Sequence, residues 1–317
     1  MIIDMTMPWA DWGKQALKRA ALERMATSGY SFVSLTVGAD DTPMAETLRF
    51  IAKERRFFAA NSDRYQVVET AGDIPAAKAA GKLAIGFHFQ GTRPVEKDLG
   101  LVEVYYRLGI RHMLLAYNQR NFAADGCHEP ADARLSGFGV ALVREMNRVG
   151  MLVDCSHTGI ASSLHAMEVS STPVIFSHSN AKALREHPRN LTKEQIDGCV
   201  ASGGVIGVNG MALLLRGQRC DSETLAEQVE HYAEVAGIDH VGLGLDYVYD
   251  SPGLSQWIEE QGDAFPSEGG YHQLQEFAEP EQVPELAAIL RKRGFDETAV
   301  AKVLGGNWFR LFQQVWK

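Results

Sequence analysis

Eight short apolar runs that alternate with helical patterns most constrain the fold of this chain. The runs are rich in β-branched and aromatic residues, as buried strands are. They cover 2–7, 30–38, 82–91, 111–118, 151–157, 173–178, 203–209 and 240–247. Strands that alternate with helices form a parallel sheet with the helices outside it, and eight such units fit a closed barrel. We therefore predict an α/β fold, a (β/α)8 TIM-type barrel.

An open, doubly wound sheet is the structural alternative to the barrel. No Gly-x-Gly-x-x-Gly pattern follows the first apolar run, which disfavours a dinucleotide-binding sheet of that kind. Residues 250–284 are rich in Gly, Pro and acids and are long for a connection, and helical patterns follow them. We expect a single domain over 1–317, in which 250–284 forms an excursion over the barrel mouth.

The composition limits the class of partner. The chain has 317 residues, of which 45% are hydrophobic and 22% are charged, and its net charge is -9. This is a globular composition, and the acidic balance disfavours nucleic acid and anionic membrane as partners. No apolar run approaches the ~20 residues that span a bilayer, and the N-terminus has no basic segment of a signal peptide. Four cysteines without paired spacing indicate reduced thiols and a cytoplasmic protein. The sequence does not decide the oligomeric state, and a homodimer is one of the alternatives that it leaves open.

Two of the apolar runs end in the same dipeptide, Ser-His. The runs are MLVDCSHTG and PVIFSHSN, so His157 and His178 follow successive predicted strands. The carboxyl ends of barrel strands carry the site in TIM-type enzymes, and neutral imidazole is a common zinc ligand. Each histidine could instead cap its strand by bonding a backbone carbonyl. Two histidines in the same position favour a metal-binding or catalytic site.

The other predicted strand ends also carry polar side chains. They are Asp4 and Thr6 on the first strand, His88 and Gln90 on the third, Tyr117 and Asn118 on the fourth, and Asp246 on the eighth. An aspartate at such a mouth can be a metal ligand, a general base or a helix cap. Arg189, in the segment HPRN, can clamp an anionic group or bond loop carbonyls. For His88 we expect a core histidine bonded inside the barrel.

Several of these segments resemble the membrane (renal) dipeptidase family of the metal-dependent amidohydrolase superfamily. They are LGIRHMLLAYNQRNFAADG, GFGVALVREMNRVGMLVDCSHTG, PVIFSHSNAKALREHPRN, GGVIGVN, HVGLGLDY and VLGGNWFRLF. The resemblance implies a (β/α) barrel, two bridged zinc ions and hydrolysis of dipeptides. Carried over by position, His157 and His178 match zinc ligands, Asp246 the aspartate that handles the catalytic water, and Arg189 an arginine that binds the substrate carboxylate.

The chain departs from the family pattern at the first, third and fourth strands. Asp4 and Thr6 stand where the family has a His and an Asp ligand, and Gln90 stands where it has the Glu that bridges both metals. Tyr117 stands where a substrate-contacting His is expected. An amide supplies little charge to hold two dications together. The sequence therefore predicts an altered site with one zinc ion or none, for which Asp4, Gln90, His157, His178 and Asp246 are the candidate ligands.

The sequence leaves two functions open. The first is a dipeptidase-like metallohydrolase that cleaves a small amide or dipeptide by metal-activated water, with Asp246 moving the proton and Tyr117 bonding the oxyanion. Arg189, Tyr117 and Asn118 would bind the substrate. The alternative is a metal-free barrel that binds a small carboxylate-bearing ligand without hydrolysing it.

Overall fold

The structure is a computed structural model that describes residues 1–9 and 14–317. Within these residues it contains nine parallel strands and twelve α-helices. The strands are β1 (Ile2–Pro8), β2 (Tyr30–Ala39), β3 (Tyr65–Val67), β4 (Leu83–Gln90), β5 (Ile110–Leu114), β6 (Leu152–Asp154), β7 (Val174–Ile175), β8 (Ile206–Val208) and β9 (Val241–Leu243). The helices are α1 (Gln15–Thr27), α2 (Met44–Ala60), α3 (Asp73–Ala79), α4 (Gly100–Arg107), α5 (Gly137–Val149), α6 (Ile160–Val169), α7 (Lys193–Ala201), α8 (Ser222–Val235), α9 (Ser251–Gln261), α10 (Gln282–Lys292), α11 (Glu297–Ala301) and α12 (Asn307–Val315).

The strands form the closed barrel that the alternation predicts. Their order is β7-β6-β5-β4-β2-β1-β9-β8, and every pairing along it is parallel. Phe176, directly after β7, pairs in parallel with Ile206 of β8 and joins the two ends of the path. The amides of Phe176 and Gly207 donate across this seam, to Val205 O at 3.1 Å and to Phe176 O at 2.7 Å. Eight strands thus close into a barrel, and the predicted (β/α)8 fold is confirmed.

The structure corrects several sequence-based boundaries. Strands β6, β7 and β9 end before the predicted 157, 178 and 247, and α9 lies inside 250–284, where the pattern predicts no helix. The short strand β3 pairs with the first half of β4, and α3 follows it, whereas the sequence pattern predicts neither. Three residues are too few for a periodic signal, so β3 exists only through its bonds to β4. Strand β5 ends at Leu114 rather than at Asn118, because the chain turns away from the sheet before the polar residues.

Local signals at the helix starts explain where several helices begin. The side chains of Ser136, Asp221, Asp250 and Asp296 accept hydrogen bonds from the third backbone amide beyond them, at the starts of α5, α8, α9 and α11. Thr192 forms a capping box with Gln195 at α7. These bonds satisfy amides that have no partner inside the helix. No helix among the described residues is both long and apolar enough to cross a bilayer.

Glycines let the barrel backbones approach closely beside β7 and the segment that leads to His178. A Cβ on Gly207 would lie 2.0 Å from Ser177 O, and one on Gly244 would lie 1.8 Å from the same oxygen. Gly204, in the GGVIG run, meets Val174 O at 1.9 Å in the same way. Because these neighbours are backbone atoms, no side-chain rotation can relieve the contact. Gly204 and Gly207 of that run therefore serve tight packing, whereas Gly203 has a positive φ of 81° and no close contact.

We expect Gly207→Ala to lower the free energy of unfolding by roughly 2–4 kcal/mol, because the β7–β8 seam must open to admit the methyl group. Urea unfolding followed by circular dichroism measures the loss. Gly137→Ala is the matched control, since a Cβ there meets nothing within 4 Å and alanine favours the helix that begins at this residue. Equal stability of Gly207→Ala and the parent would contradict the packing argument.

Candidate active site

Three polar residues occupy equivalent places at the barrel mouth. His157 follows the last residue of β6 by three positions (154 to 157), His178 follows that of β7 by three (175 to 178), and Asp246 follows that of β9 by three (243 to 246). The carboxyl ends of parallel strands meet at one face of a barrel. The common offset therefore brings these side chains to one site.

The backbone is held in an uncommon conformation at this mouth. Asn118, His157 and Asp246 have φ angles of 61°, 62° and 59°. These values lie in the left-handed region, which residues other than glycine rarely adopt. Such conformations persist only where the surrounding contacts enforce them, and they gather at functional sites. The amide of Asp246 donates to Thr6 O at 3.1 Å, and His157 O accepts from Cys127 N at 2.8 Å. Neighbouring strands and loops thus hold both turns.

The two imidazoles form a directed chain of hydrogen bonds. Burial lowers the pKa of His178 to about 3 and that of His157 well below its usual value, so both are neutral at pH 7. His157 Nδ1 donates to Asn118 Oδ1 at 2.7 Å, since the Asn118 amide nitrogen already donates to Ala264 O at 2.9 Å. His157 Nε2 must then accept, and His178 Nε2 donates to it at 3.0 Å. His178 Nδ1 accepts in turn from Thr6 Oγ1 at 3.1 Å and Ser177 Oγ at 2.7 Å.

Two buried carboxyl groups, Asp4 and Asp246, lie near this pair. Burial raises the pKa of Asp246 to about 7, although the Arg189 guanidinium and the Asn209 amide favour its charged form. Burial likewise raises the pKa of Asp4 to about 7, against backbone amides of Thr6 and Leu245 that donate to its Oδ1 at 3.1 Å each. Asp4 Oδ2 is buried without a partner. Both groups therefore exchange protons near neutral pH.

Arg189 is a buried cation at the centre of the site. Its side chain is 4% exposed, and its Nη2 donates to His178 O at 3.2 Å. In the part of the chain that the structure describes, no carboxylate forms an ion pair with Arg189. Its charge depresses the pKa of His157, His178 and Asp246, after burial the next cause in each. A buried unpaired guanidinium is costly, and an anionic ligand offsets that cost.

A cavity of about 490 Å³ opens over these groups. Of the predicted site residues, Gln90, Tyr117, His157, Arg189 and Asp246 line it. The Tyr117 ring stacks on the His157 ring at 4.0 Å, and burial raises the pKa of its phenol, which stays protonated. Its hydroxyl is therefore a hydrogen-bond donor at the cavity wall.

Three predicted site residues do not line the cavity. Asn118 is fully buried, and both ends of its amide bond other protein groups, so it orients the His157 ring from behind. Asp4 and His178 are also fully buried. The structure thus separates a cavity-facing set from a supporting set, whereas the sequence pattern predicts a single rim.

A second directed chain of hydrogen bonds, called the barrel chain below, crosses the barrel interior from Gln90 to Asp154. At one end, Gln90 Nε2 donates to Thr36 Oγ1 at 2.9 Å, and Thr36 Oγ1 bonds His88 Nε2 at 2.9 Å. The His88 Nδ1 atom bonds Ser34 Oγ at 2.9 Å, and the same hydroxyl bonds His112 Nε2 at 3.1 Å. At the other end, His112 Nδ1 bonds Asp154 Oδ2 at 3.1 Å. The His112 bond lowers the pKa of Asp154 although burial opposes this, so its ionised oxygen only accepts.

The carboxylate of Asp154 sets the direction of every bond in this chain. In the direction that this carboxylate favours, His112 and His88 each donate through Nδ1 and accept through Nε2, and the hydroxyls of Ser34 and Thr36 each donate to the next ring. The chain must then begin with a donor, which the amide of Gln90 supplies and a glutamate could not. His88 is a fully buried core histidine, stacked on His112 at 4.3 Å, as we expect from its place in the sequence.

The residues present do not fit the two-metal centre that the resemblance implies. Among the described residues, no group of three or more His, Cys, Asp or Glu side chains is arranged to hold a metal ion. The Gln90 amide already donates to Thr36 in the barrel chain, and Asp4 Oδ1 already accepts from two backbone amides. The nitrogens of His157 and His178 converge, and the orphan Asp4 Oδ2 is one further buried oxygen. The donor set is thus two imidazoles rather than a bridged pair of metal sites.

The barrel chain and most of the cavity wall are not predicted from the sequence. A signal for the chain is present, because Ser34 and Thr36, like His88 and Gln90, are polar residues two apart in apolar strands and so share one face. Trp9 and Phe50 of the wall lie before α1 and within α2, where an apolar residue is equally typical of the core.

The fold and the site together define a (β/α)8-barrel protein with neutral imidazoles, a titratable aspartate and a buried guanidinium at its mouth. A sequence profile described as membrane dipeptidase (Peptidase family M19) matches residues 3–260. This chain belongs to that family.

Similar proteins agree with the assignment to the family. Dipeptidase verJ of Clonostachys rogersoniana is 30% identical over 256 residues, which cover 80% of this chain and 61% of that protein. Dipeptidase tcpJ of Claviceps purpurea is 29% identical over 276 residues, which cover 86% of this chain and 60% of that protein. The chain therefore spans about three fifths of the length of these relatives.

Solved structures agree with the fold. An amidohydrolase from Pseudomonas aeruginosa is 30% identical, with a TM-score of 0.86 over 100% of this chain and 96% of that one. A metallo peptidase from Rhodobacter sphaeroides, solved with a phosphinate mimic of the dipeptide L-Ala-D-Ala, is 21% identical, with a TM-score of 0.79 over 99% of each chain. At that identity the second likeness supports the fold alone.

Proposed function

We propose that this chain hydrolyses a small amide whose amine side carries a free carboxylate, as dipeptides do. The observation that carries the proposal is Arg189, a buried guanidinium that lines the cavity beside Asp246 without a carboxylate partner among the described residues. A substrate carboxylate would complete its ion pair. The relatives named dipeptidases, and the dipeptide mimic bound in the Rhodobacter protein, support the same class of substrate.

The residues of the cavity suggest how hydrolysis proceeds. Asp246, with a pKa of about 7, takes a proton from the water that adds to the amide carbon. The protonated Tyr117 hydroxyl donates to the carbonyl oxygen as negative charge develops on it. The carbon–nitrogen bond then breaks, and Asp246 returns its proton to the leaving amine. Arg189 holds the carboxylate throughout and so orients the amide toward Asp246.

We further propose at most one zinc ion, held by His157 and His178, in a cytoplasmic protein whose four cysteines are free thiols. Such an ion would supply Lewis-acid polarisation of the substrate carbonyl. For it to bind, His178 needs only a change of tautomer, after which Nδ1 donates to Thr6 or Ser177 and Nε2 offers a lone pair.

The second candidate function is binding of a carboxylate ligand without metal and without hydrolysis. It is favoured by the imidazole chain, in which every ring nitrogen of His157 and His178 already has a hydrogen-bond partner. A satisfied polar chain is stable without an ion. Metal content and turnover of a dipeptide panel separate the two functions.

We expect protein purified without chelator to hold at most about one zinc equivalent, and His157→Ala and His178→Ala each to lose it. His88→Ala should keep the zinc, because its ring belongs to the barrel chain, and His231→Ala on α8 is the surface control. Elemental analysis and release of free amino acids from dipeptides are measured together, with a thermal melt to verify folding. Two tightly held zinc ions would refute the altered site, and amino-acid release that equals a protein-free blank would favour the binding protein.

A further inference from the structure

The cavity extends well beyond the groups that handle an amide and a carboxylate. Its polar floor is formed by Gln90, Tyr117, His157, Arg189 and Asp246. Most of the remaining lining is apolar and includes Trp9, Phe50, Val248, Leu254, Trp257 and Phe265, while the charged residues Asp41, Glu46, Arg49 and Lys53 also line the cavity. A volume of about 490 Å³ lies within the range that holds drug-sized ligands. The space is therefore larger and more apolar than a dipeptide of small residues requires.

One wall of the cavity is a continuous row of aromatic rings that begins at the active site. Tyr117 stacks on His157 at 4.0 Å, Phe265 meets Tyr117 edge-on at 6.0 Å, and Trp257 meets Phe265 edge-on at 5.4 Å. Trp257 is half-buried, and its Nε1 donates to the exposed Asp41 at 3.3 Å. The row thus leads from the buried imidazole to the rim.

Trp9 and Phe50 form a second wall of the cavity, beside the charged lining residues Glu46, Arg49 and Lys53 of α2. Trp9 is fully buried, its Nε1 donates to Glu54 at 2.8 Å, and its ring contacts Phe58 at 6.5 Å and Tyr249 at 6.3 Å. Glu54 is itself fully buried and paired with Lys18 and Arg19. Phe50 lies one turn before Glu54 on α2, beside this cluster. The wall is therefore held in place before any ligand enters.

We infer that the substrate carries a large apolar group on the acyl side of its amide, opposite the carboxylate. This inference rests on the proposed function, in which Arg189 binds the carboxylate on the amine side and so defines where the acyl side of the amide lies. With the carboxylate at Arg189 and the amide at Asp246, the aromatic row and the Trp9–Phe50 wall are large apolar surfaces left for the acyl group. Dipeptides with a large apolar first residue and N-acyl amino acids share this chemistry.

The test is equilibrium binding, measured by calorimetry, of a series of N-acylglycines from acetyl to octanoyl. We expect the Kd to fall about two- to fourfold for each added methylene, the effect of moving apolar surface out of water. Trp257→Ala, in the aromatic row, and Phe50→Ala, in the second wall, should each weaken octanoylglycine about tenfold or more and leave acetylglycine within about twofold. Leu274→Ala, 67% exposed and away from the cavity, should match the parent throughout.

Two comparisons in this experiment distinguish dipeptides from N-acyl amino acids and show which of the two proposals has failed. Hexanoylglycine and norleucylglycine differ only in an α-ammonium group, so tighter binding of the first assigns N-acyl amino acids and tighter binding of the second assigns dipeptides. A Kd that does not change with chain length, or equal losses for acetyl and octanoyl ligands in both wall variants, overturns the inference. Length-dependent binding without any hydrolysis overturns the proposed reaction alone. No binding by any member overturns both.

Discussion

A variant that combines Asp4→His, Thr6→Asp and Gln90→Glu is expected to bind two zinc ions and to hydrolyse dipeptides about 100-fold faster than the parent chain. The three changes rebuild, on the same strand ends, the ligand set that the family resemblance implies. A metal ion stabilises developing charge by several kcal/mol, and each factor of ten in rate requires only about 1.4 kcal/mol. Both ions need all ligands together, so the gain should be strongly non-additive.

The structure adds a cost to this expectation. Asp4→His removes the acceptor of two buried amides, those of Thr6 and Leu245, and Gln90→Glu removes the donor that begins the barrel chain at Thr36. Each unsatisfied buried group costs about 1–3 kcal/mol. The zinc-free triple variant should therefore melt below the parent, and zinc should raise its melting temperature because it binds only the folded state.

The controls are Gln90→Glu alone and Asp4→His with Thr6→Asp, each of which should fail to gain a second zinc ion or the activity. The measurements are metal stoichiometry, thermal melts with and without zinc, and amino-acid release from a dipeptide panel. If the unaltered chain already matches the triple variant in rate, the altered-site interpretation is wrong. Asp4 and Gln90 would then belong to a working variant of the family centre.

Asp154→Asn is expected to lower the free energy of unfolding by roughly 3 kcal/mol, with a range of about 2–4. Asp154 Oδ2 accepts from His112, and its Oδ1 accepts from the amides of Ser156 and Ser177 at 3.0 and 3.1 Å. An asparagine must turn its NH2 group toward one of these two donor sets. Turned toward the backbone amides of Ser156 and Ser177, the NH2 group sets donor against donor inside the barrel, where water cannot compensate. Turned toward His112, it requires that ring to change tautomer and so reverses the hydrogen bonds that follow it.

Denaturant unfolding of Asp154→Asn and of Glu186→Gln measures this effect. Glu186 is 81% exposed, so neutralising it should change stability by less than about 0.5 kcal/mol. Nitrogen NMR of the histidine rings provides a second readout, since Asp154→Asn should disturb the Nδ1–H tautomer of His112 and leave His240, bonded to Gly204 O, unchanged. An Asp154→Asn protein as stable as Glu186→Gln would contradict the directed chain.

The same chain explains why a glutamine rather than a glutamate stands at position 90. Its first hydroxyl, on Thr36, donates to His88 and therefore needs a donor on its other side. A sequence alone presents Gln90 as the loss of a bridging carboxylate. The structure presents it as one end of a polar chain whose other end is the charged Asp154, across the barrel interior.

Much of the fold followed from local pattern. Apolar runs and helical segments of the expected lengths predicted every barrel strand, since buried parallel strands are continuous apolar runs and the connecting helices carry their own caps. The positions of His157, His178 and Asp246 at one mouth followed from the same alternation, because all carboxyl ends of parallel strands share a face. The short strand β3 could not be predicted, since three residues carry no period and pair only after β4 has formed.

The division of labour at the site was decided only by the tertiary structure. The residue types at the strand ends were in the sequence, but Asn118 and Asp4 could not be separated from Tyr117 and Arg189 by spacing, since which of them meets the cavity depends on how the turns after β1 and β5 pack. The direction of each hydrogen bond depends on partners such as Asp154 and Ala264, which are far away in the chain. Apolar residues such as Trp9, Phe50 and Trp257 are likewise typical of a core in the sequence, because hydrophobicity records that a side chain leaves water and not whether it packs against protein or against a ligand.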